Sequence, residues 1–419
     1  MTSHTNNTAE PANHLAERNG WRWVRLGDHV SKIGSGLTPL GGHASYQASG
    51  IPLIRSQNVH MNRFEPDGLA FISTDQDEAM AVSRVQPGDV LLNITGASIG
   101  RVCVVPAERC PANVNQHVCV IRGDDSLDSE FVAFFLASPE FQSFIWETQA
   151  GATRQALTKA LIEDFRIPFT LLEKQRRIAG RLRKQLAEVA KARTAVQAQL
   201  AAAQALPAAS LRDVFNSNEA QSWPRRCLGD VCELLPSKSI CLTADAEVRA
   251  ITTASLTETG FDPAGIKTGR MWASDVPDCT VRAGEILIAR SNTPELVGRV
   301  ALFKGESPGA VASDLTIRIW PGDEVHGDFL TRYLSSLYLT GYWCERAGGS
   351  SGTMKKITRS QILAEKVPVP SLDEQECVAA RLAAELAEVT RLRESLSGKL
   401  ETLDRLPAAL LAQAFQGGR

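Results

Sequence analysis

The chain has 419 residues and a formal net charge of -2, from 45 Lys and Arg residues against 47 Asp and Glu residues. Hydrophobic residues make up 43% and charged residues 22%, which excludes a disordered chain and is typical of a folded protein with about two to four domains. No apolar stretch approaches the roughly 20 residues that a membrane-spanning helix needs, so no membrane contact is expected.

The N-terminal residues 1–20 are polar and lack the apolar core of a signal peptide, so we predict a flexible tail there. The 9 cysteines are irregularly spaced, with no CxxC pair and no histidines at zinc-like spacing. We therefore expect unpaired thiols, no metal site and a location in the reducing cytoplasm.

The first large segment, residues 21–167, alternates short β-like runs with turn residues. Its runs are residues 51–54, 90–94, 101–105 and 118–122, and an amphipathic helical stretch follows at residues 130–148. The pattern predicts an α+β domain with a mixed or barrel-like sheet and a helix near its exit.

A long helix is predicted next, within residues 168–217. Apolar residues step by alternating four and three, which is the heptad pattern of helices that pack along a narrow seam. The seam consists of Leu182, Leu186, Val189, Arg193, Val196, Leu200 and Ala203. Because proline disrupts a helix interior, we expect this helix to end before Leu206-Pro207.

The remaining chain repeats this organisation. Residues 218–370 carry β-like runs at residues 248–251, 286–289, 300–303 and 315–320 and a helical stretch at residues 327–346. Residues 371–419 carry a second heptad seam, with an expected end before Leu406-Pro407. That seam consists of Leu382, Leu386, Val389, Arg393, Leu396, Leu400 and Leu403.

The two halves also match residue by residue. A shift of 200 residues places Leu172-Glu173-Lys174-Gln175 on Leu372-Asp373-Glu374-Gln375, and Phe215 on Phe415. A slightly different shift places Gly100-Arg101-Val102 on Gly298-Arg299-Val300. The chain is therefore a duplicated two-part unit, A-B-A′-B′, and not a solenoid, whose repeats are far shorter.

Each predicted helix needs a partner for its apolar seam, and we expect the partner to be the helix of the other repeat. The alternative is that each helix packs only on its neighbouring domain. Arg193 and Arg393 occupy the same step of the two seams. Each arginine either extends its guanidinium to the edge of the seam or contacts a Glu of the other helix and fixes the register.

Catalytic motifs are missing from the sequence. There is no GxxxxGK[ST] phosphate loop, no GxGxxG after a strand, no HExxH and no convincing PD…ExK nuclease pattern. The stretch from Asn292 to Glu295 resembles an amino-methyltransferase NPPY motif only superficially. We therefore predict no catalytic residues and no cofactor bound by this chain.

The charge is unevenly distributed. The net charge is -5 in residues 1–167, +6 in residues 168–217, -1 in residues 218–370 and -2 in residues 371–419. The opposite signs of the two long helices favour their pairing with each other. The basic cluster at the start of the first helix is alternatively a solvated face, a phosphate contact or a contact for an acidic partner.

Several polar and basic loop residues are candidates for contact with nucleic acid. Glycine-rich loops that carry Lys or Arg can approach phosphate closely, while Arg, Asn and Gln can recognise base edges. The candidates are Arg55, Gln57, Asn58, Thr95, Arg154 and Lys159 in the first half and Arg290, Asn292, Lys355 and Lys356 in the second.

These features together resemble the specificity subunit of type I restriction–modification systems, over residues 21 to 419. The resemblance rests on the A-B-A′-B′ layout and on three groups of motifs. They are Trp23 with Leu26-Gly27-Asp28, GDVLLNITGASIGRV at 88–102 with Asn115-Gln116-His117, and the Leu-Glu-Lys-Gln and Leu-Asp-Glu-Gln helix starts.

The resemblance implies two target recognition domains, residues 21–167 and 218–370, each of which recognises one half of a split DNA site. It implies that residues 168–217 and 371–419 are conserved long helices that pack antiparallel, separate the domains and fix the gap. It further implies two methyltransferase subunits that use S-adenosylmethionine to methylate adenine, and motor-nuclease (restriction) subunits that use ATP and Mg²⁺. The chain itself would be non-catalytic.

The physical estimates agree with this family. Residues 173–204 span about 48 Å as a helix, and B-DNA repeats every 34 to 36 Å. The alternatives are a coiled-coil scaffold without DNA specificity and a self-contained methyltransferase or nuclease. Since the recognition domains carry little positive charge, we expect weak DNA binding by the chain alone.

Overall fold

The computed structural model describes residues 21–149, 156–349 and 354–416, so the predicted N-terminal tail lies outside the described residues. By its internal contacts the chain forms two units. Unit 1 comprises residues 1–196 and 399–419, and unit 2 comprises residues 197–398. The division runs through both long helices, so each helix contributes to both units.

Unit 1 contains the elements from the first strand to the first part of the long helix α5. The strands are β1 (Arg22–Arg25), β2 (Val30–Ser35), β3 (Ile51–Ile54), β4 (Val59–His60), β5 (Arg63–Phe64), β6 (Ala70–Ile72), β7 (Arg84–Val85), β8 (Val90–Asn93), β9 (Val102–Val104), β10 (Ala112–Val114), β11 (Val118–Gly123) and β12 (Arg166–Phe169). The helices are α1 (Thr74–Ala79), α2 (Ser129–Leu136), α3 (Pro139–Gln149), α4 (Lys159–Glu163) and α5 (Leu172–Phe215).

Two four-stranded sheets form the body of unit 1. One has the order β2-β11-β8-β9 and is antiparallel throughout. The other has the order β6-β3-β10-β7 and is mixed, because β3 and β10 pair in parallel. A separate pair, β1 with β12, joins the entry of the unit to its exit just before α5.

Unit 2 repeats this arrangement. Its strands are β13 (Arg225–Cys227), β14 (Cys232–Leu235), β15 (Ala246–Ile251), β16 (Leu256–Thr257), β17 (Gly260–Phe261), β18 (Ile266–Met271), β19 (Ile286–Ala289), β20 (Ser291–Asn292), β21 (Val300–Leu302), β22 (Val311–Ala312), β23 (Thr316–Pro321), β24 (Lys355–Lys356) and β25 (Lys366–Pro368). Its helices are α6 (Asn218–Ser222), α7 (Leu228–Val231), α8 (Val276–Cys279), α9 (Gly327–Leu339), α10 (Tyr342–Arg346), α11 (Arg359–Leu363) and α12 (Leu372–Gln416). The sheets β14-β23-β19-β21 and β18-β15-β22 correspond to those of unit 1, again with one parallel pair, β15 with β22.

The α+β class and the mixed sheets agree with the sequence-based prediction, and a strand lies at each predicted β-like run. The prediction of one helical stretch in each domain was wrong. Residues 130–148 form α2 and α3, which are separated at Ser138 before Pro139, and residues 327–346 form α9 and α10, which are separated by Gly341 at a φ of 78°. Proline at the first position and glycine in the left-handed region both interrupt a continuous helix.

The two long helices run farther than expected. The helix α5 has 44 residues and contains Pro207, and α12 has 45 residues and contains Pro407, so neither helix ends before its Leu-Pro pair. A proline inside a helix removes one backbone hydrogen bond. The turns that follow bury Leu211 and Phe215 in one helix and Leu411 and Phe415 in the other, and this burial offsets the missing hydrogen bond.

Between residues 182 and 203 and between residues 382 and 403, the apolar heptad positions are less exposed than most of their neighbours. In α5, Leu182, Val189 and Ala203 are buried and the intervening apolar seam residues are half-buried. Within unit 1 the two helices run antiparallel. The start of α5 shares a core with Leu411 and Phe415 at the end of α12, while Arg193, farther along α5, pairs with Asp404, which lies earlier in α12.

The two seam arginines have different partners. The Arg193 guanidinium donates from Nε to Asp404 Oδ1 at 2.6 Å, so it contacts an acidic residue of the other helix, an Asp and not a Glu. Arg393 does not contact the other helix in this way. Its Nη1 lies 4.0 Å from Glu258 Oε2, a residue of the turn between β16 and β17.

Replacement of Arg193 by Ala is expected to lower the stability of unit 1 by less than about 1 kcal/mol, because both partners are half-exposed. Arg193→Asp should cost more, and adding Asp404→Arg should restore stability. Thermal unfolding at low and high salt measures this, since screening should reduce the difference. Lys191→Ala, which breaks a pair within α5 alone, is the control; equal effects would argue against a link between the helices.

An aromatic cluster fills the core of each unit. Phe415 of α12 lies 6.1 Å from Trp21, 5.4 Å from Phe131 and 5.4 Å from Phe135, measured between ring centroids. The matching cluster in unit 2 places Phe215 of α5 against Trp223, Phe329 and Tyr333. Each core is therefore completed by the last turns of the long helix that begins in the other unit.

A buried ion pair lies in the antiparallel sheet of unit 2. Arg318 of β23 and Glu285 before β19 are 1% and 0% exposed, and the guanidinium Nε donates to the carboxylate at 2.8 Å. The same guanidinium donates to the carbonyls of Pro236, Asp278 and Thr280. Burying a charge is costly without pairing of this kind, and these hydrogen bonds tie several loops of unit 2 to one point.

All 9 cysteines have unpaired sulfur atoms. Burial raises the pKa of the Cys103 and Cys119 thiols to about 12, so both remain neutral core groups. In the described ranges, no helix combines the length and apolar character that crossing a membrane requires.

Candidate nucleic-acid interface

In unit 1 a cleft of about 510 Å³ opens beside the end of strand β8. The exposed Gln57 and the half-buried Thr95, two of the candidate residues, lie on its wall. The cleft is lined by Ser56, Gln57, Thr95, Gly96, Ala97, Ser98, Arg101 and His117. The structure thus brings two candidates from different loops to one concave site and adds Arg101 and His117.

Hydrogen bonds fix the polar groups of this cleft. Thr95 Oγ1 lies 2.6 Å from His117 Nδ1, and Gln57 Nε2 donates to the carbonyl of Gly68 at 3.1 Å. The side-chain oxygen of Asn115 accepts from the backbone N–H of His117 at 3.2 Å. These bonds hold amide, hydroxyl and imidazole groups at a surface, as recognition of base edges requires.

A glycine turn positions Arg101 at the cleft. Gly100 has a φ of 84°, and a Cβ atom there would lie 2.7 Å from Gln142 Oε1. Gly298 of unit 2 has a φ of 85°, and its Cβ would lie 2.6 Å from Trp343. Only glycine fits both positions, which explains the Gly-Arg-Val motif in each repeat.

The structure corrects the interpretation of Asn58. Its side chain is 0% exposed, and its amide donates to the carbonyls of Glu65 and Asp67 while its oxygen accepts from the N–H of Arg55. Asn58 therefore shapes the loop and is not available to a base. The half-buried Arg55 donates to the Gly68 carbonyl at 2.6 Å and stacks on Tyr46, so it supports the same loop.

The exit of unit 1 passes beside the loop of Thr95 and carries the basic candidate Lys159. Arg154 lies outside the described residues. Ala156 forms a β-bridge with Thr95, and two residues later Thr158 caps α4. Lys159 is the first residue of that helix; it is exposed, with Glu163 3.7 Å from its ammonium group.

In unit 2 the candidates form a small antiparallel ribbon. Strand β20 pairs with β24, so that Asn292 lies opposite Lys355 and Ser291 lies opposite Lys356. Lys356 is exposed and Lys355 is half-buried. Two elements about 60 residues apart in the sequence thus form one polar, basic surface, although the sequence pattern alone did not predict their pairing.

Two arginines flank this ribbon. Arg290 donates from Nη1 to the carbonyl of Asp314 at 3.3 Å, and its Nε is buried without a hydrogen-bond partner. Arg359 donates to the carbonyls of Leu234 and Leu235. Burial and the neighbouring charge of Arg290 lower the pKa of Arg359. Sequence reasoning missed Arg359, although its place directly after the capping Thr358 matches that of Lys159 after Thr158.

The hydrogen bonds show which loops correspond in the two units. In unit 1 the backbone N–H of Leu157 donates to the carbonyl of Ile94, and in unit 2 the backbone N–H of Ile357 donates to the carbonyl of Arg290. The loop that begins at Arg290 therefore corresponds to the loop that begins at Ile94, and not to the Arg55 loop. The two surfaces share a backbone frame but present different side chains.

The chemical groups of both surfaces suit binding to nucleic acid. They offer amides, hydroxyls, guanidinium and ammonium groups, which recognise base edges and phosphates. Among the residues that the structure describes, no group of three or more His, Cys, Asp or Glu side chains is placed to hold a metal ion.

Known proteins share the sequence pattern and the fold of this chain. A family model described as the type I restriction modification DNA specificity domain matches residues 18–196 and 221–401. The StySPI type I restriction enzyme specificity subunit of Salmonella potsdam is 22% identical over 385 residues, covering 88% of this chain and 82% of the relative. The EcoKI specificity subunit of Escherichia coli K12 is 21% identical over 390 residues, with the same coverage of 88% and 82%.

Two solved structures have the same fold. The HsdS subunit from Thermoanaerobacter tengcongensis superimposes with a TM-score of 0.65 at 21% identity, covering 96% of this chain and 98% of that chain. A chain from work on complex assembly and conformational transition of the type I R-M system gives a TM-score of 0.68 at 20% identity, covering 96% and 99%. Because one family model accounts for both halves, the chain belongs to the family of type I restriction–modification DNA specificity domains and is a DNA-recognition subunit with two tandem copies of the domain.

Proposed function

We propose that each unit recognises one half of a bipartite DNA target and that the two long helices set the spacer between the halves. The observation that carries this proposal is the repeated backbone frame with different side chains at the corresponding loops of Ile94 and Arg290. Because the backbone of these loops is the same in both units but their side chains differ, the two units are suited to recognise two different DNA half-sites. The helices suit a spacer because each contributes buried residues to the cores of both units.

The proposed contacts divide into two classes. Gln57, Thr95 and Asn292 carry amide or hydroxyl groups for base edges, and Arg290 carries a guanidinium that suits guanine. Lys159, Lys355 and Lys356 carry ammonium groups for phosphates. Arg101 and His117 join the unit 1 surface because they line the same cleft as Gln57.

Membership of the family supports the proposal of partner subunits. Specificity subunits are non-catalytic, so the chemistry belongs to the other subunits of the system. We propose that two methyltransferase subunits dock on this chain and bring S-adenosylmethionine, and that restriction subunits bring ATP and Mg²⁺. The assembly would act on double-stranded DNA in the cytoplasm.

Co-expression with the methyltransferase subunit, followed by mapping of modified adenines, tests this function. A bipartite motif with a constant gap is the expected result. The chain alone, incubated with S-adenosylmethionine and DNA, should methylate nothing. Unmodified or randomly modified DNA from the co-expressed complex would instead favour a scaffold without DNA specificity.

The charge distribution also predicts how the affinity for DNA is divided between this chain and its methyltransferase partners. The recognition domains, residues 21–167 and 218–370, have net charges of -4 and -1, so they release few counterions from DNA. Weak binding by the isolated chain is expected, with the methyltransferase subunits contributing most phosphate contacts. If the isolated chain bound DNA tightly and its affinity did not change with salt concentration, this prediction would be contradicted.

Replacement of both Lys355 and Lys356 by Ala is expected to weaken DNA binding of the complex similarly for all sequences. The slope of log affinity against log salt should fall by about 1 for each phosphate that a lysine no longer neutralises. Titrations of a specific and a non-specific duplex at several salt concentrations measure both quantities. Lys267→Ala, an exposed change on β18, is the control and should leave the slope unchanged.

A further inference from the structure

A second cleft, of about 260 Å³, lies within unit 2, and none of its lining residues belongs to the ribbon of β20 and β24. It is bounded by the last part of α5, by α9, by α12 and by the turn between β16 and β17. Its lining residues are Gln204, Pro207, Ala208, Leu211, Thr257, Glu258, Thr259, Arg299, Val300, Arg332, Ser335, Tyr338, Leu339, Ala383, Leu386, Ala387, Thr390 and Arg393. Three arginines and one carboxylate make this lining positively charged.

Two of the arginines have partners. Arg299 donates from Nε to the Tyr338 hydroxyl and from Nη1 to the Leu256 carbonyl, both at 3.3 Å. Arg393 lies 4.0 Å from the carboxylate of Glu258, which is too long for a hydrogen bond. The single acidic side chain of the lining is therefore close to Arg393 alone and forms no ion pair with Arg299 or Arg332.

Arg332 on α9 is the exception. Its Nε is buried without a hydrogen-bond partner, and no acidic group of the described residues lies within ion-pair distance of its guanidinium. The nearest acid on its own helix is Asp328, one turn earlier, whose carboxylate instead pairs with Lys304 at 3.1 Å. Burial lowers the pKa of Arg332, because a cation loses hydration inside the protein, and the charge of the nearby Asp328 opposes only part of this effect.

The other repeat shows that the fold does not need a cation here. The backbone N–H of Val132 donates to the carbonyl of Asp128 at the start of α2, and the N–H of Leu330 donates to the carbonyl of His326 at the start of α9. These matching bonds align the two helices, so Phe134 in α2 corresponds to Arg332 in α9. Phe134 is 7% exposed and belongs to the core of unit 1. An apolar side chain thus satisfies the packing at this position, and the arginine in unit 2 calls for an explanation outside packing.

We infer that this cleft binds a small organic anion, with its charged oxygens on the guanidinium groups of Arg332, Arg299 and Arg393. A guanidinium offers a planar fork of donors that matches carboxylate and phosphate oxygens. Leu211, Leu339 and Leu386 supply an apolar wall for the body of the ligand. The ligand class is therefore a phosphomonoester or carboxylate with a small apolar group, of a size that fits the cleft.

Calorimetric titration of the full-length chain with phenyl phosphate and, separately, with benzoate tests the inference. Saturable binding of at least one probe is expected, with a rise in melting temperature. Arg332→Phe, which installs the residue of the other repeat, should weaken binding about tenfold or more, because it removes a hydrogen bond to a charged group. Arg393→Met should weaken it as well, while Lys267→Met should leave it unchanged.

The melting temperature of ligand-free Arg332→Phe separates binding from folding. It should equal or exceed that of the parent chain, because a half-buried cation without an ion-pair partner in the described part of the chain is removed. Three results would overturn the inference: no saturable binding of either probe, equal binding by the parent chain and Arg332→Phe, or displacement of the probe by a short DNA duplex. The last result would assign the cleft to the DNA backbone.

Discussion

Removal of one heptad from each long helix is expected to abolish methylation of the original DNA target and to leave only targets whose gap is about three base pairs shorter. Deleting residues 194–200 from α5 and residues 393–399 from α12 removes about 10 Å of each helix, and successive bases lie about 3.4 Å apart along a DNA strand. The deletions keep the heptad phase, and they keep both Arg193 and Asp404. Mapping of modified adenines after co-expression with the methyltransferase gives the gap directly.

Two further variants complete that experiment. Deleting residues 194–200 from α5 alone should abolish assembly, because the seams of the two helices then differ in length. Gln197→Ala with Gln199→Ala changes two exposed side chains without a change in length, and should leave target and gap unaltered. An unchanged gap in the double deletion would show that the helices do not set the spacer.

Replacement of Phe415 by Ala is expected to lower the stability of unit 1 by about 3 to 5 kcal/mol. Its ring is 5% exposed and packs against Trp21, Phe131 and Phe135, so the truncation leaves a cavity in an aromatic core. Amide hydrogen exchange should become faster in α2 and in the sheet that contains β8, because these elements share that core.

The matched variant is Phe215→Ala, which removes the corresponding ring from the core of unit 2. It should accelerate exchange in α9 and leave α2 unchanged, whereas Phe415→Ala should do the reverse. If Phe415→Ala destabilised α9 instead of α2, or cost less than about 1 kcal/mol, the assignment of the end of α12 to the core of unit 1 would be wrong.

The sequence was sufficient to predict the elements whose signals are local. Heptad spacing predicted both long helices, and short β-branched runs bounded by turn residues predicted the strands of both sheets. The duplication was visible as matching motifs, and the layout with those motifs led to the correct family. The prolines at 207 and 407 misled the prediction, because the burial of Leu211 and Phe215 in later turns outweighs a local penalty.

The candidate surface could be predicted only in part. Residue type marked Gln57, Thr95, Asn292 and Lys355 as polar or basic groups in loops. Nothing in the local pattern distinguished the exposed Gln57 from the neighbouring Asn58, whose amide is consumed by backbone carbonyls. Burial of a polar loop residue depends on which carbonyls the folded loop directs toward it, and a sequence alone does not reveal them.

By itself the sequence determined the repeat, the helical seams, the unequal charge of the two helices and the family. Tertiary structure decided which distant segments meet: β20 with β24, the end of α12 with the core of unit 1, and Arg193 with Asp404. It also left the Nε of Arg332 buried without a hydrogen-bond partner where the other repeat has Phe134. The physical reason is that periodicity and propensity act over a few turns of chain, while packing joins residues as far apart in the sequence as Trp21 and Phe415.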